Sequence, residues 1–249
     1  MIKAQHNKIF EFIFLKYLYF IFKQNFHSIN LIKNNDLTKN NFKFKNNNTK
    51  NIIFVQNHSY WWDGFIAYIV NQKLFGYKYF VMMLNKQLQK FPMFKYIGAF
   101  SIEPTSSKSI IESINYSIDI LNQNKNNSLL IFPQGTTKTD FNDEFELKNG
   151  LFEILKKYFK SNPNESIYIC IIFTKIYSGN NQKPELFIQN EIFEIDKTLK
   201  IDNVQLDNLF LTNKFKSMKL NIQNTINEYE INKIQNFDTL IKGKSRTSN

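Results

Sequence analysis

The stretch Asn51-Ile52-Ile53-Phe54-Val55-Gln56-Asn57-His58-Ser59-Tyr60-Trp61-Trp62-Asp63-Gly64 decides how the rest of the chain is read. Asn51 to Gln56 is a short apolar run and reads as a buried strand. Polar residues stop it at once, and a helix-like pattern runs from Ser59 to Gln72. In open α/β folds, ligands bind at strand ends of this sort. His58 therefore stands where a side chain can meet a substrate. Asp63 comes about one helical turn later. Its carboxylate can hold one imidazole nitrogen and leave the other as a base. The competing reading is a purely structural His–Asp hydrogen bond, and spacing alone does not separate the two.

Outward from this stretch, apolar runs alternate with helical stripes. Tyr77 to Leu84, Gly98 to Ile102, Ser128 to Phe132, Ile167 to Phe173 and Glu185 to Ile188 read as strands. Lys108 to Gln123 carries a helical stripe through Ile110, Ile111, Ile114, Ile118 and Leu121, with capping-box spacing at Ser109 and Glu112. Glu146 to Phe159 and Phe215 to Ile234 read as further helices. This alternation predicts an α/β fold: a mixed, largely parallel sheet flanked by helices, preceded by an aromatic, apolar N-terminal helix. The expected organisation is an interfacial helical segment over 1–32, a polar loop over 33–50, the main domain over 51–240 and a polar tail over 241–249.

The chain has 249 residues, 43% of them hydrophobic and 26 of them Phe, enough for one domain with a thick core. Ile9 to Phe22 is apolar, but Glu11 and Lys16 interrupt it and it falls short of the ~20 residues that cross a bilayer. It is expected to lie in a membrane interface, with a buried packing helix as the alternative. The net charge of +11 suits anionic lipids, phosphorylated co-substrates or nucleic acid. The lysines are dispersed and no nucleic-acid-binding motif is present, so nucleic acid is not an expected partner. Cys170 is the single cysteine, which excludes an internal disulfide, and it lies in an apolar run as a buried strand residue would. With His6, His27 and His58 as the only histidines, no metal-ligand cluster is visible and no metal is expected.

A second polar turn, Phe132-Pro133-Gln134-Gly135-Thr136, closes another apolar run. A glycine there lets backbone approach a ligand, and nearby N–H groups can bind an anionic oxygen; an ordinary Pro/Gly turn is the alternative. Taken together, the two turns resemble the lysophospholipid and glycerolipid acyltransferase family, which carries N-H-x4-D and, further on, F-P-E-G-T-R. Asn57, His58 and Asp63 match the first motif; Phe132, Pro133, Gly135 and Thr136 match the second. Gly98 to Ile102 resembles the family's middle G-x-x-x-[IV] block, and the resemblance covers roughly residues 51–173.

The resemblance implies an O-acyltransferase with His58 as general base and Asp63 orienting it. The donor would be acyl-CoA or acyl carrier protein, used as a co-substrate, with no bound cofactor and no acyl-enzyme. Asn57, Gln134, Gly135, Thr136 and Lys138 are the candidate substrate-binding residues, with backbone N–H groups near Gly135 as oxyanion donors. Phe91, Met93 and Phe94 are a candidate wall for the acyl chain, with core packing as the alternative. The family's two phosphate-binding arginines are replaced by Pro104 and Thr137, and its Glu by Gln134, with Lys108 and Lys138 nearby. This points to a hydroxylated acceptor lacking glycerol phosphate, such as a glycolipid or terpenoid. The W-W-D-G and F-P-Q-G variants resemble a bacterial subgroup, implying a peripheral place on the cytoplasmic face of the inner membrane. The rival reading is an inactive lipid-binding protein on the same fold. The sequence leaves acyl length and oligomeric state open.

Overall fold

The computed structural model describes residues 1–33, 50–138 and 145–244. Most of the expected polar loop over 33–50, and the end of the expected tail, lie outside these. Among the described residues the chain builds an α/β fold around an eight-stranded sheet. The elements, in order, begin with α1 (Lys8–Asn25), β1 (Ser28–Ile32), β2 (Ile52–Gln56), α2 (Asp63–Val70), β3 (Lys78–Leu84) and α3 (Asn85–Lys90). There follow β4 (Ala99–Ile102), α4 (Ser107–Gln123), β5 (Asn127–Ile131), α5 (Gly150–Ser161), β6 (Ile167–Tyr177) and β7 (Glu185–Ile195). The chain then forms a small hairpin of β8 (Lys200–Ile201) and β9 (Val204–Gln205), then α6 (Asn208–Asn232) and β10 (Phe237–Lys242). The sheet order is β10-β1-β7-β6-β2-β5-β3-β4, and neighbours run parallel except β1–β10 and β6–β7. The predicted mixed, largely parallel sheet with an N-terminal helix is therefore observed.

The continuous apolar runs follow from burial on both faces. Successive side chains of a strand point to opposite sides. Ile53, Val55, Leu129, Ile131, Ile169 and Ile171 pack against α4, α5 and α6. Ile52, Phe54, Leu130, Cys170 and Ile172 pack against α1 and α2. A strand covered on both sides cannot alternate apolar with polar.

Several boundaries differ from the sequence reading, each for a local reason. The helix expected from Ser59 starts at Asp63, because the Ser59 and Tyr60 N–H groups bond to the Asp63 carboxylate instead. The helix expected from Glu146 starts at Gly150, because the Lys148 N–H bonds to Pro133 O. The capping residue of α4 is Ser106, which accepts from Ser109 N, rather than Ser109 itself. Strand β6 continues to Tyr177 and β7 to Ile195, since the two pair along their whole length. Within the segment read as a separate N-terminal unit, β1 is a strand of the main sheet. Ile241 and Lys242, read as the start of a polar tail, belong to β10 beside it.

Helix α1 packs one face on the sheet, as the buried-helix alternative expects. Phe14, Leu18 and Phe22, one turn apart, are buried in the core. Ile9, Phe12, Ile13, Tyr17 and Phe20 are more than half exposed. No helix among the described residues is long and apolar enough to cross a membrane.

Candidate active site

Two loops meet at the carboxyl ends of β2 and β5. The first, from Asn57 to Asp63, is held by buried polar contacts. Asn57 is fully buried at the end of β2. Its Oδ1 accepts from Thr174 N at 2.8 Å and its Nδ2 donates to Thr174 O at 3.1 Å, tying β2 to β6. Asp63 is also fully buried. Its Oδ2 accepts from Ser59 N at 2.7 Å and Tyr60 N at 2.8 Å, and lies 3.1 Å from His58 Nδ1. Its other oxygen accepts from Thr174 Oγ1 at 3.0 Å. A carboxylate facing Nδ1 places the proton on that nitrogen. Nε2 is then the free base, and the His58 side chain keeps 24% of its surface exposed.

The second loop, Phe132 to Lys138, clasps the first. His58 N donates to Gln134 Oε1 at 2.6 Å and Lys138 N donates to His58 O at 2.8 Å. The Phe132 ring stacks on the imidazole with centroids 4.2 Å apart. Thr137 Oγ1 lies 3.0 Å from His58 Nε2. Gly135 adopts φ +71°, a left-handed conformation that glycine takes without strain. A Cβ added there would lie 3.0 Å from the Lys148 side chain.

Beside these loops opens a cavity of about 730 Å³, lined mainly by apolar side chains including Phe65, Val81, Phe94, Ile102 and Leu151. Its size and lining suit a long apolar ligand with a few polar groups at the reacting end. His58, Thr136, Thr137 and Lys148 are among its polar lining residues.

The residues singled out in the sequence separate into two groups. His58, Gly135, Thr136, Phe91 and Phe94 line the cavity. Asp63 and Asn57 stand behind them, buried. Gln134 turns inward to brace the His58 backbone. Lys138 points its ammonium at Glu146, an ion pair that holds the Glu146 carboxyl below its usual range, first through the hydrogen bond and then through charge. Met93 is 45% exposed and lies outside the cavity lining, because the 92–97 turn directs Phe94 inward in its place. Of the two positions where arginine is expected, both Pro104 and Thr137 line the cavity.

A family model described as Acyltransferase matches residues 29–173. The chain belongs to the acyltransferase family. The matched span opens in β1 and closes in β6, so it carries both loops and Phe173, next to Thr174. No curated protein matches the chain. Membership brings acyl transfer to a lipid-like acceptor.

Three residues of this acyltransferase's site escaped the sequence reading. Thr174 braces both Asn57 and Asp63. Its signal was available: it is the first polar residue after the apolar run of β6, at the strand end where ligands of α/β folds bind. Thr137 registered only as a missing arginine. Lys148 is set against Gly135 by the turn before α5, and nothing local in the sequence announces that contact.

Proposed function

We propose that this acyltransferase moves a fatty-acyl group from an acyl thioester, acyl-CoA or acyl carrier protein, to a hydroxyl of a lipid-like acceptor. One observation carries the reading: a His–Asp pair whose carboxylate is buried and whose histidine lines a large apolar cavity. His58 Nε2 takes the acceptor's hydroxyl proton while the oxygen attacks the acyl carbonyl. Asp63 fixes the tautomer and stabilises the imidazolium that forms. Donors after Gly135 meet the oxyanion.

With Pro104 and Thr137 in place of arginines, the acceptor is a hydroxylated lipid without glycerol phosphate, such as a glycolipid or terpenoid. Peripheral contact with a membrane through α1 accounts for its exposed Phe12, Tyr17 and Phe20. In a bacterial cell that surface would be the cytoplasmic face of the inner membrane, where both donors are made.

The test is incubation with each donor and a total lipid extract from the source cell, followed by mass spectrometry, with His58→Ala in parallel. A lipid that gains an acyl mass only with the wild type supports the reading and names the acceptor. Formation of phosphatidic acid would refute the reading of Pro104 and Thr137. No transfer from either donor would favour a lipid-binding protein on the same fold.

A further inference from the structure

The cavity that His58 lines reaches down both faces of the sheet. Successive side chains of β3 point to opposite sides. Val81 and Met83 pack against the core that α1 and α2 cover, Met82 against the core under α4 and α5, and all three line the cavity. It therefore straddles the carboxyl end of β3 as two arms. On the α2 side the lining runs from Met83 back to Tyr79, a reach of about 13 Å along the strand, and ends on Ile97 and Ala99. On the other side Phe80 is buried in the core and takes no part in the lining, so this arm is shorter. It lies between Ile110 and Ile114 on α4, which span about 6 Å, and Leu151 and Ile154 on α5. The exposed Pro104 stands at its rim.

The two arms differ in what they accept. The long one is a slot for an extended acyl chain. The short one offers a polar group little. Thr136, Thr137 and Lys148 stand at the second loop, and past them the described walls are aliphatic. A sugar or a glycerol phosphate placed there would give up hydrogen bonds to water and find none beyond the loop. A hydrocarbon body gains by leaving water. Pro104, where the resemblance expects an arginine, belongs to this same apolar arm.

We propose that the acceptor is a hydrophobic alcohol, whose hydroxyl is borne directly on an apolar body that enters the arm between α4 and α5. The donor's acyl chain fills the arm along β3. This rests on the acyl-transfer reading above and narrows its acceptor, setting a terpenoid-like alcohol ahead of a glycolipid. His58 Nε2 takes the hydroxyl proton, and the oxygen forms the ester bond to the acyl carbon. The C–S bond breaks, and the leaving thiolate takes that proton from the imidazolium and departs as free thiol. Ile110, Ile114 and Ile154 are then the residues that select the acceptor, while Val81 and Ala99 bear on the donor.

The experiment gives the full chain palmitoyl-CoA, and separately palmitoyl carrier protein, with each of three acceptors in phosphatidylcholine vesicles: farnesol, a monoglucosyl diacylglycerol and lysophosphatidic acid. Thiol release and product mass are followed. The expected kcat/KM for farnesol is at least ~10-fold above that for either other acceptor. Ile110→Phe, at a half-buried wall, is expected to raise the KM for farnesol about 10-fold and to leave that for palmitoyl-CoA within about twofold; Val81→Phe is expected to do the reverse. A preference for the glucosyl lipid or for lysophosphatidic acid overturns the inference and leaves acyl transfer standing. So does an Ile110→Phe protein that loses affinity for the donor instead of the acceptor. If the variants do not fold, the wild-type preference decides. If none of the three is used, the lipid acylated in a total extract of the source cell decides: a hydroxyl on an apolar body supports the inference, and one on a sugar or a glycerol phosphate overturns it. A wild type that acylates nothing from either donor, in the panel or in the extract, overturns both this inference and the acyl-transfer reading.

Discussion

The two loops that make the site are built on opposite plans. The loop from Asn57 to Asp63 is held by the buried Asn57, Asp63 and Thr174, whose polar atoms answer one another. The loop from Pro133 to Lys138 is held mostly through backbone, and its Thr136 and Thr137 side chains are exposed. In the proposed reaction the first aims the base, and loss of any of these partners leaves a buried polar group unpaired at a cost of about 1–3 kcal/mol. The second lines the cavity, and it is there that the chain departs from the pattern it resembles, at Gln134 and Thr137. The proposed function thereby assigns orientation of the base to one segment and choice of substrate to the other.

The sharpest way to break this contrast is His58→Ala. It should lower acyl transfer by about 10²–10⁴-fold while changing stability by less than ~1 kcal/mol, read from initial rates and urea melts. A large loss of stability would mean that His58 is structural. Next comes Asp63→Asn, expected to slow transfer about 10²-fold or more and also to destabilise by about 1–3 kcal/mol. Only a residue of the first loop should show both effects. Asn57→Ala should cost about 2–3 kcal/mol in the same melts through the unpaired Thr174 groups. If it melts like the wild type, the first loop is not the rigid one. Lys138→Ala, in the second loop, should leave the melting midpoint unchanged at low and high salt, because its pair with Glu146 is exposed and screened. Least of all should happen at Cys170. Burial pushes its thiol far above the usual range, so iodoacetamide should label it only after unfolding.

Much of this was legible because the signals are local. The apolar runs of β2, β5 and β6 and the stripe of α4 are written in consecutive residues, as is the step from His58 to Asp63. What escaped depends on distant partners. Strand β1, read as part of the N-terminal helical segment, contains Ser28 and Asn30, which have no reason to enter a sheet until Glu185 and Thr239 are there to bond with them. Strand β10, FDTLIK, buries little beyond Phe237 and Ile241 and has no reason to be a strand without β1 beside it. The inward turn of Gln134 is set by the His58 N–H, and the place of Lys148 by Gly135. Helix α6 begins at Asn208 rather than near Phe215, because Asp207 caps it by accepting from Phe210 N, while the exposed Leu209 blurs its stripe.

The position of β1 bears on the order in which the molecule assembles. It lies between β7 and β10, and its Ser28 meets Glu185, 157 positions away. During synthesis β1 leaves the ribosome long before either neighbour, with both rows of its N–H and C=O groups open. Closing so large a loop is slow, and an open strand edge is a template for pairing with other chains. The final seam of the sheet is therefore where nascent molecules compete between folding and aggregation. A chaperone that shields residues 28–32 should raise the yield of folded protein more than one acting anywhere else along the sheet.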